Sequence, residues 1–338
     1  MLHVLKETLG KLQLPRRTEK KLLTAADLGC SCGQNTLLVA DLIVQGMADE
    51  LYGGSRLGHP PPEFCFYFND LPSNDFNTLF HLLPDSARNG GRPAYFAAGV
   101  AGSFYDRLFP ERFIDVFSST FSLHWLSQVP TEVMDENSKA YNRGKVFVHG
   151  ASEATGAAYR RQFQSDLARF LRCRATELER GGAMFLVCLG RPSSAAAPVD
   201  QGTVRFLFGD MFQDSWHDLV REGLIDSDKV DSFNVPVYAP TLEEFREVVD
   251  ADGSFRINRL ELVMGSPPVV DHPGDASDVG RTVANNERSL LGALVDAHVG
   301  KALCDELFDK LRCRAEERAK ELMEEMRFPH VVCSLSLV

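Results

Sequence analysis

Thr24-Ala25-Ala26-Asp27-Leu28-Gly29-Cys30-Ser31-Cys32-Gly33-Gln34-Asn35-Thr36 decides the fold. A short β-like run closes on Asp27 and Gly29. It then opens into the helical pattern Leu37-Leu38-Val39-Ala40-Asp41-Leu42-Ile43. Strand, glycine turn and helix in that order form the nucleotide-binding turn of a doubly wound α/β sheet. Glycines there let backbone approach a ligand, and Asp27 can hold either the turn or a cationic ligand group. Gly29 and Gly33 give G-x-x-x-G, without the third glycine that admits a pyrophosphate. The turn therefore suits a nucleoside ligand that carries no phosphates, and it argues against a nicotinamide dehydrogenase.

A second strand, Phe64-Cys65-Phe66-Tyr67-Phe68, runs to Asn69-Asp70. A carboxylate at that strand end can accept both ribose hydroxyls. Gly53-Gly54-Ser55 and Pro60-Pro61-Pro62 mark a long loop before it. Taken singly, each glycine or aspartate is an ordinary turn residue; after two strands in order, they favour a nucleoside site. Ala94–Val100 reads as strand three and is followed by Gly102-Ser103-Phe104-Tyr105. A hydroxyl and an aromatic face there suit an adenine, and equally an ordinary loop serine beside a core Phe. Strand four, Ile114–Ser119, runs into Thr120-Phe121-Ser122-Leu123-His124-Trp125-Leu126. Ligands collect beyond the carboxyl ends of such strands, so His124 and Trp125 can face a substrate; a buried His and a core Trp are the competing reading.

The rest of the chain builds the sheet and something over it. Met1–Leu14 is an amphipathic helix stopped by Pro15, and the helix after the turn ends near Gly46. Leu71 opens a helix entry running to Leu83-Pro84, Asn89-Gly90-Gly91 is a loop, and Arg143–Phe147 is a short extended piece. Ala158–Glu179 is a helix with an apolar stripe at Tyr159, Phe163, Leu167, Phe170, Leu171, Ala175 and Leu178, stopped by Gly181-Gly182. Ala183–Leu189 is a buried strand, and Ser193–Pro198 is a linker. A helix over Phe206–Gly223 carries Phe206, Phe208, Met211, Phe212 and Trp216, more aromatics than one core face needs. Part of it lines an apolar pocket or packs a cap on the sheet. Thr241 and Glu244 form a capping box, and Ser254–Val263 is a strand. Asp278–Gly300 and Lys301–Met326 are helices, and Val331–Leu337 closes as an edge strand.

Composition narrows the classes. The 338 residues, 44% hydrophobic, can bury one large core or two unequal ones. A net charge of −11 argues against nucleic acid as a partner. No apolar run approaches a membrane span, so no membrane partner is expected. The eight scattered cysteines lack C-x-x-C spacing and read as reduced residues of a cytoplasmic protein.

Several of these pieces together are not generic. Asp27–Thr36, Asn69–Phe76, Gly102–Tyr105, Ser122–Pro130 and Phe233–Tyr238 resemble the SABATH family of plant carboxyl and N-methyltransferases that use S-adenosylmethionine. Within that family, Asn69–Leu83, Tyr141–His149 and Met184–Gly190 look most like indole-3-acetate (auxin) carboxyl methyltransferases. The resemblance implies an α/β, class I methyltransferase (Rossmann-like), mostly parallel sheet with an α-helical cap, usually as a homodimer. The core would span 1–190, 231–265 and 329–338, with cap segments at 191–230 and 266–328. By position, Asp27, Gly29, Cys30, Gly33 and Asn35 would line the cofactor, with Cys30 and Asn35 at its methionine end. Asp70 and Leu71 would hold ribose and adenine, and Ser103 and Phe104 the adenine. Phe121, His124 and Trp125 would contact a small carboxylic acid, and Phe206, Phe208, Phe212 and Trp216 would hold its ring. Asn142, Asp231, the Phe233 carbonyl and Asn234 match a Mg2+ site of structural character, whose all-oxygen shell suits that cation.

Two features depart from the family pattern. Cys32 stands where Ser is usual, with little expected effect. The family's S-Y-x-x-N-S-x-x-Q segment, whose Tyr and Gln help hold cofactor and carboxylate, precedes the helix that opens this sequence. The expectation is a methyltransferase for indole-3-acetate. The alternatives are salicylate, benzoate, jasmonate or a terpenoid acid as substrate, and an impaired or non-catalytic short form.

Overall fold

The computed structural model describes residues 1–14, 22–52, 62–83, 94–192 and 197–338. Outside them lie the Pro15 stop, the loop marked by Gly53-Gly54-Ser55 and Pro60-Pro61, the Pro84 helix end, Asn89-Gly90-Gly91 and Ser193–Ala196 of the linker. Seven strands form one sheet: β1 (Leu22–Leu28), β2 (Glu63–Asp70), β3 (Phe96–Ala101), β4 (Ile114–Thr120), β5 (Leu178–Leu189), β6 (Phe255–Met264) and β7 (Pro329–Leu337). Their order is β3-β2-β1-β4-β5-β7-β6. β1 to β5 pair in parallel, and β7 runs antiparallel to both β5 and β6. Strand order reverses between β1 and β4, which opens a crevice beyond Leu28 and Thr120, where ligands of such sheets bind.

β1 is apolar along its length because both its faces are covered, as in buried parallel strands. Leu23 and Ala25 face the N-terminal helix Leu2–Gly10 and the helix Gln34–Tyr52. Ala26 and Leu28 face the helix Glu153–Glu177 and everything beyond it. The helix after β1 does not end at Gly46 but runs through it to Tyr52. A Cβ at Gly46 would overlap the Leu9 side chain, so this glycine serves a close helix–helix crossing rather than a stop. The next long helix ends at Leu178, whose extended backbone already begins β5. Gly181 and Gly182 therefore lie within the strand rather than before it, with Gln13 N–H bonding Gly181 O at 2.9 Å.

Two more expectations are corrected. Val331–Leu337 is not an edge strand: β7 lies between β5 and β6 and is buried over nearly its whole length, and β6 takes the edge. The Arg143–Phe147 segment is a turn, closed by Lys145 N–H to Asn142 O at 3.1 Å, and forms no strand. The capping box at Thr241 and Glu244 is present on the helix Leu242–Asp252.

The aromatic-rich helix breaks at Gly209 into Arg205–Phe208 and Asp210–Arg221. Asp210–Arg221 packs on Lys301–Glu317, which packs in turn on Ala276–Val299 and Ala319–Glu325. Their apolar residues share one continuous core with the sheet face carrying Ala26 and Leu28. Among the described residues no helix is long and apolar enough to cross a membrane.

Candidate active site

The turn after β1 is held from beneath. Both carboxylate oxygens of buried Asp27 are engaged by the chain itself, accepting from Ser118 Oγ and Thr36 Oγ1 at 2.7 Å each. Burial raises the acid's pKa, against the two hydroxyls that lower it. Asp27 thus anchors β1 to β4 and to the start of the following helix. Gly29 adopts φ +80°, and a Cβ there would overlap Ser122 Oγ, so only glycine lets the two strand ends close up. Ser31, at φ +54°, turns its N–H outward to Asp70 Oδ2 at 2.7 Å. Asp70 Oδ1 accepts from Leu71 N–H at 2.7 Å, so the carboxylate spans the ends of β1 and β2. Nothing lies within 4 Å of the position a Gly33 Cβ would take. Leu71 and the Asn35 side chain are exposed beside this opening, and the Cys30 thiol is buried, its pKa raised mainly by that burial.

Asn69, unread in the sequence, joins three strand ends. Its carbonyl accepts from Gly29 and Cys30 N–H at 2.9 Å each. Its Nδ2 donates to Val100 O at 2.8 Å and Gly102 O at 2.9 Å, while Oδ1 has no hydrogen-bond partner among the described residues. The loop after β3 is thereby laid against the first turn. Phe104 Cε1 sits 3.4 Å from where a Gly29 Cβ would be, and Ser103 Oγ accepts from Tyr105 N–H at 3.2 Å.

Beyond β4 the chain enters a left-handed residue, Phe121 (φ +62°), an uncommon conformation for a bulky side chain. Its ring is 48% exposed and stands edge-on to His330, centroids 5.1 Å apart. The following turn is pinned on both sides: Tyr238 N–H to His124 O at 3.0 Å, Leu126 N–H to Pro236 O at 2.7 Å, and Tyr105 O–H to Trp125 O at 2.7 Å. Trp125, partly buried, packs edge-on with Phe208 at 5.9 Å, and its indole N–H donates to no other described residue. His124 is buried with Nδ1 accepting from Leu189 N–H at 3.3 Å, which places the proton of the neutral ring on Nε2.

Burial, with His330 adding to it, lowers the His124 pKa from 6.5 to about 3. The group is therefore neutral wherever the protein works. Its linkage to folding has a definite sign. Below an unfolded pKa near 6.5 the unfolded chain binds a proton that the folded chain refuses until about 3. Stability should fall as pH drops through that window, by about 1.4 kcal/mol per pH unit once below the unfolded value. Denaturant titrations of the parent and of His124→Gln between about pH 7 and 4.5 should show a shallower pH dependence for the variant. Equal slopes would mean that His124 takes up its proton in the folded state.

His330 is a second buried histidine at the carboxyl side of the sheet, paired from β7 with Leu189 of β5. Burial lowers its pKa too, and its Nδ1 has no partner among the described residues. The only sequence signal for it was a lone polar side chain opening an apolar strand.

The cap aromatics divide. Phe208 reaches Trp125, and Phe147 at 5.6 Å. Phe206 is buried between the guanidinium groups of Arg205 and Arg318. Phe212 and Trp216 pack with Phe233 and Phe308 inside the cap, Trp216 and Phe233 at 4.8 Å. Only Phe208 of the four is brought to the Trp125 ring, because the break at Gly209 turns the later residues away onto neighbouring helices.

Asn142 meets Asn234, and Asp231 is tied to the same turn through Gly144. Asn142 Nδ2 donates to Asn234 Oδ1 at 2.7 Å, and Asp231 Oδ1 accepts from Gly144 N–H at 2.5 Å. One carboxylate, two amides and the Phe233 carbonyl are the kinds of oxygen donor a hard cation takes, although Asn234 Oδ1 is engaged here by Asn142 Nδ2. Among the described residues no group of three or more His, Cys, Asp or Glu could hold a metal.

A parallel sheet reversing at β1/β4, a phosphate-free glycine turn and a carboxylate at the end of β2 define a class I methyltransferase. All 338 residues match the family described as SAM dependent carboxyl methyltransferase, and the chain belongs to that family. It is 57% identical to indole-3-acetate O-methyltransferase 1 of Oryza sativa subsp. japonica, over all of this chain and 86% of that protein. It is 54% identical to indole-3-acetate O-methyltransferase 1 of Arabidopsis thaliana, over 99% and 88%. A solved structure of a loganic acid methyltransferase with SAH superposes with a TM-score of 0.87 at 31% identity, covering 99% of this chain and 91% of that one.

Proposed function

We propose that this chain methylates the carboxylate of a small plant acid, indole-3-acetate foremost, in the crevice between the β1 turn and the segment after β4. The observation that carries the chemistry is the Trp125 indole N–H, free of other described residues at the end of β4. The choice of acid rests on the rice and Arabidopsis relatives, each similar over nearly the whole chain. Bound there, S-adenosylmethionine supplies a methyl group on a positively charged sulfur, whose transfer to oxygen leaves a methyl ester and a neutral thioether.

A carboxyl group near pKa 4.3 is ionised at neutral pH, so no residue need act as a general base. Neutral, buried His124 is consistent with that. The chain's work is alignment and exclusion of water. Asp70 would receive the ribose hydroxyls, Leu71, Ser103 and Phe104 would hold the adenine, Cys30 and Asn35 would meet the methionine end, and Gly33 would leave room for the ligand. Trp125 donates to the acid's oxygen, His124 Nε2–H faces the same group, and Phe121 and Phe208 wall the acceptor. Opposite charges are neutralised as the new bond forms, so apolar walls favour the transition state over the separated ions. Asn142, Asp231, the Phe233 carbonyl and Asn234 would hold Mg2+ as a clamp between the 142–147 turn and the 231–235 segment, with no step of transfer routed through it. The family resemblance also supports a homodimer, which light scattering of the purified protein would test.

The deciding experiment presents indole-3-acetate, salicylate, benzoate, jasmonate and gibberellate with methyl-labelled cofactor and follows label into ester. Highest kcat/KM on indole-3-acetate is expected. Preference for another acid would overturn the substrate. Labelling of none, with adenosylhomocysteine still bound, would leave a binding protein.

A further inference from the structure

The helix Glu153–Glu177 carries two charges on its apolar stripe. Arg174 and Glu177 are both fully buried. Arg174 lies between the rings of Phe117 and Phe170, its Cζ 5.3 Å from each centroid. Its Nη1 donates to Phe104 O at 2.8 Å and its Nη2 to Asp106 O at 2.7 Å. Nη2 also approaches Glu177 Oε2 at 2.8 Å, a close ionic contact outside hydrogen-bond alignment. Glu177 Oε1 accepts from Leu108 N–H at 2.6 Å and from Phe109 N–H at 3.0 Å. Phe170, four residues before Arg174, stands edge-on to Phe104 at 6.2 Å. One buried ion pair thus gathers four backbone groups from the six residues that follow Ser103.

We propose that Arg174 and Glu177 are positioning residues for the cofactor. Their shared function is to fix the 103–109 loop so that Ser103 and Phe104 meet the adenine. The pair is an uneconomical way to stabilise a core, because desolvating two charges offsets most of their attraction, and apolar residues of equal volume commonly do as well. What a planar guanidinium adds is geometry, with several donors held in one rigid fork. Its donors here point at alternate carbonyls of a single loop, those of Phe104 and Asp106. Trp125 is held mainly by its own turn and by the 236–238 segment, with the Tyr105 O–H to Trp125 O bond its link to this loop. The pair should therefore act first on cofactor affinity, and reach the acid only weakly through Tyr105.

This inference rests on the adenosyl site proposed above, and its test separates the two. Arg174→Lys keeps the charge and loses the fork. Arg174→Met combined with Glu177→Gln removes both charges while the amide oxygen still accepts from Leu108 and Phe109. Adenosylhomocysteine affinity is measured by calorimetry on each folded variant, beside Phe104→Ala, with KM for the acid taken at saturating cofactor. Both pair variants are expected to raise Kd about tenfold, the size of one lost hydrogen bond, with a clearly smaller change in KM for the acid. Parent affinity in a folded Arg174→Lys or double variant, with Phe104→Ala weakened, would overturn the positioning role alone. Parent affinity in Phe104→Ala would remove the adenine assignment. Equal losses for cofactor and acid would mark the pair as a general core element and overturn the proposal.

Discussion

Trp125→Phe is expected to lower kcat/KM for the acid by about 10–100-fold, the weight of one hydrogen bond to a charged acceptor, with adenosylhomocysteine affinity close to parent. Phenylalanine is the informative replacement because it keeps an aromatic ring where Trp125 packs edge-on with Phe208. It also leaves the backbone ties of that turn, from Tyr105 O–H to Trp125 O and from Trp125 N–H to Ser122 O. What it deletes is the indole N–H. If that group grips the carboxylate in the ground state and the transition state alike, KM rises and kcat holds. If it aligns the oxygen for attack, kcat falls with kcat/KM, since a misplaced acceptor forfeits part of an orientation advantage that reaches ~7–11 kcal/mol in favourable cases. Steady-state kinetics with indole-3-acetate distinguishes the two. Parent values of both constants would mean that another group holds the carboxylate.

The parts of this molecule that were legible in sequence are those whose physics is local. β1, β2, β4 and β5 announced themselves as short apolar runs because buried parallel strands are covered on both faces. The first turn was readable because only glycine tolerates φ +80° with Ser122 packed against it. What failed was what depends on partners distant in sequence. Nothing in Val331–Leu337 says whether it ends the sheet or is inserted between β5 and β6. Gly46 and Gly181-Gly182 carry a stop signal, yet one meets Leu9 across a helix crossing and the others lie within a strand. The aromatics of Phe206–Gly223 could line a pocket or pack a cap, and sequence does not show that Gly209 redirects the chain so that Phe212 and Trp216 pack with Phe233 and Phe308. One site feature was within reach and went unread. Arg174 and Glu177 continue the stripe Phe163, Leu167, Phe170, Leu171, and two charges on the apolar face of a helix call for a buried partner.

Asp70→Asn should raise the adenosylhomocysteine Kd by about 100-fold, corresponding to two charge-assisted hydrogen bonds of about 1.5 kcal/mol each. Each carboxylate oxygen already accepts one backbone N–H, from Leu71 at Oδ1 and from Ser31 at Oδ2. An ionised carboxylate has about four lone-pair sites, so two remain for a pair of vicinal hydroxyls. Asparagine halves the acceptors and turns an NH2 toward either the Ser31 or the Leu71 N–H. The turn after β1 and the ribose grip are then lost together. That double duty makes the single variant ambiguous, and a cycle with an altered ligand resolves it. Binding of 2′-deoxyadenosylhomocysteine to the parent should be weakened by loss of one hydroxyl. If Asp70 receives that hydroxyl, the same ligand change should cost markedly less in Asp70→Asn, because the partner is already gone. Additive losses would show that Asp70 acts only through the turn, tying Ser31 to the end of β2, and the sugar would then need a different acceptor.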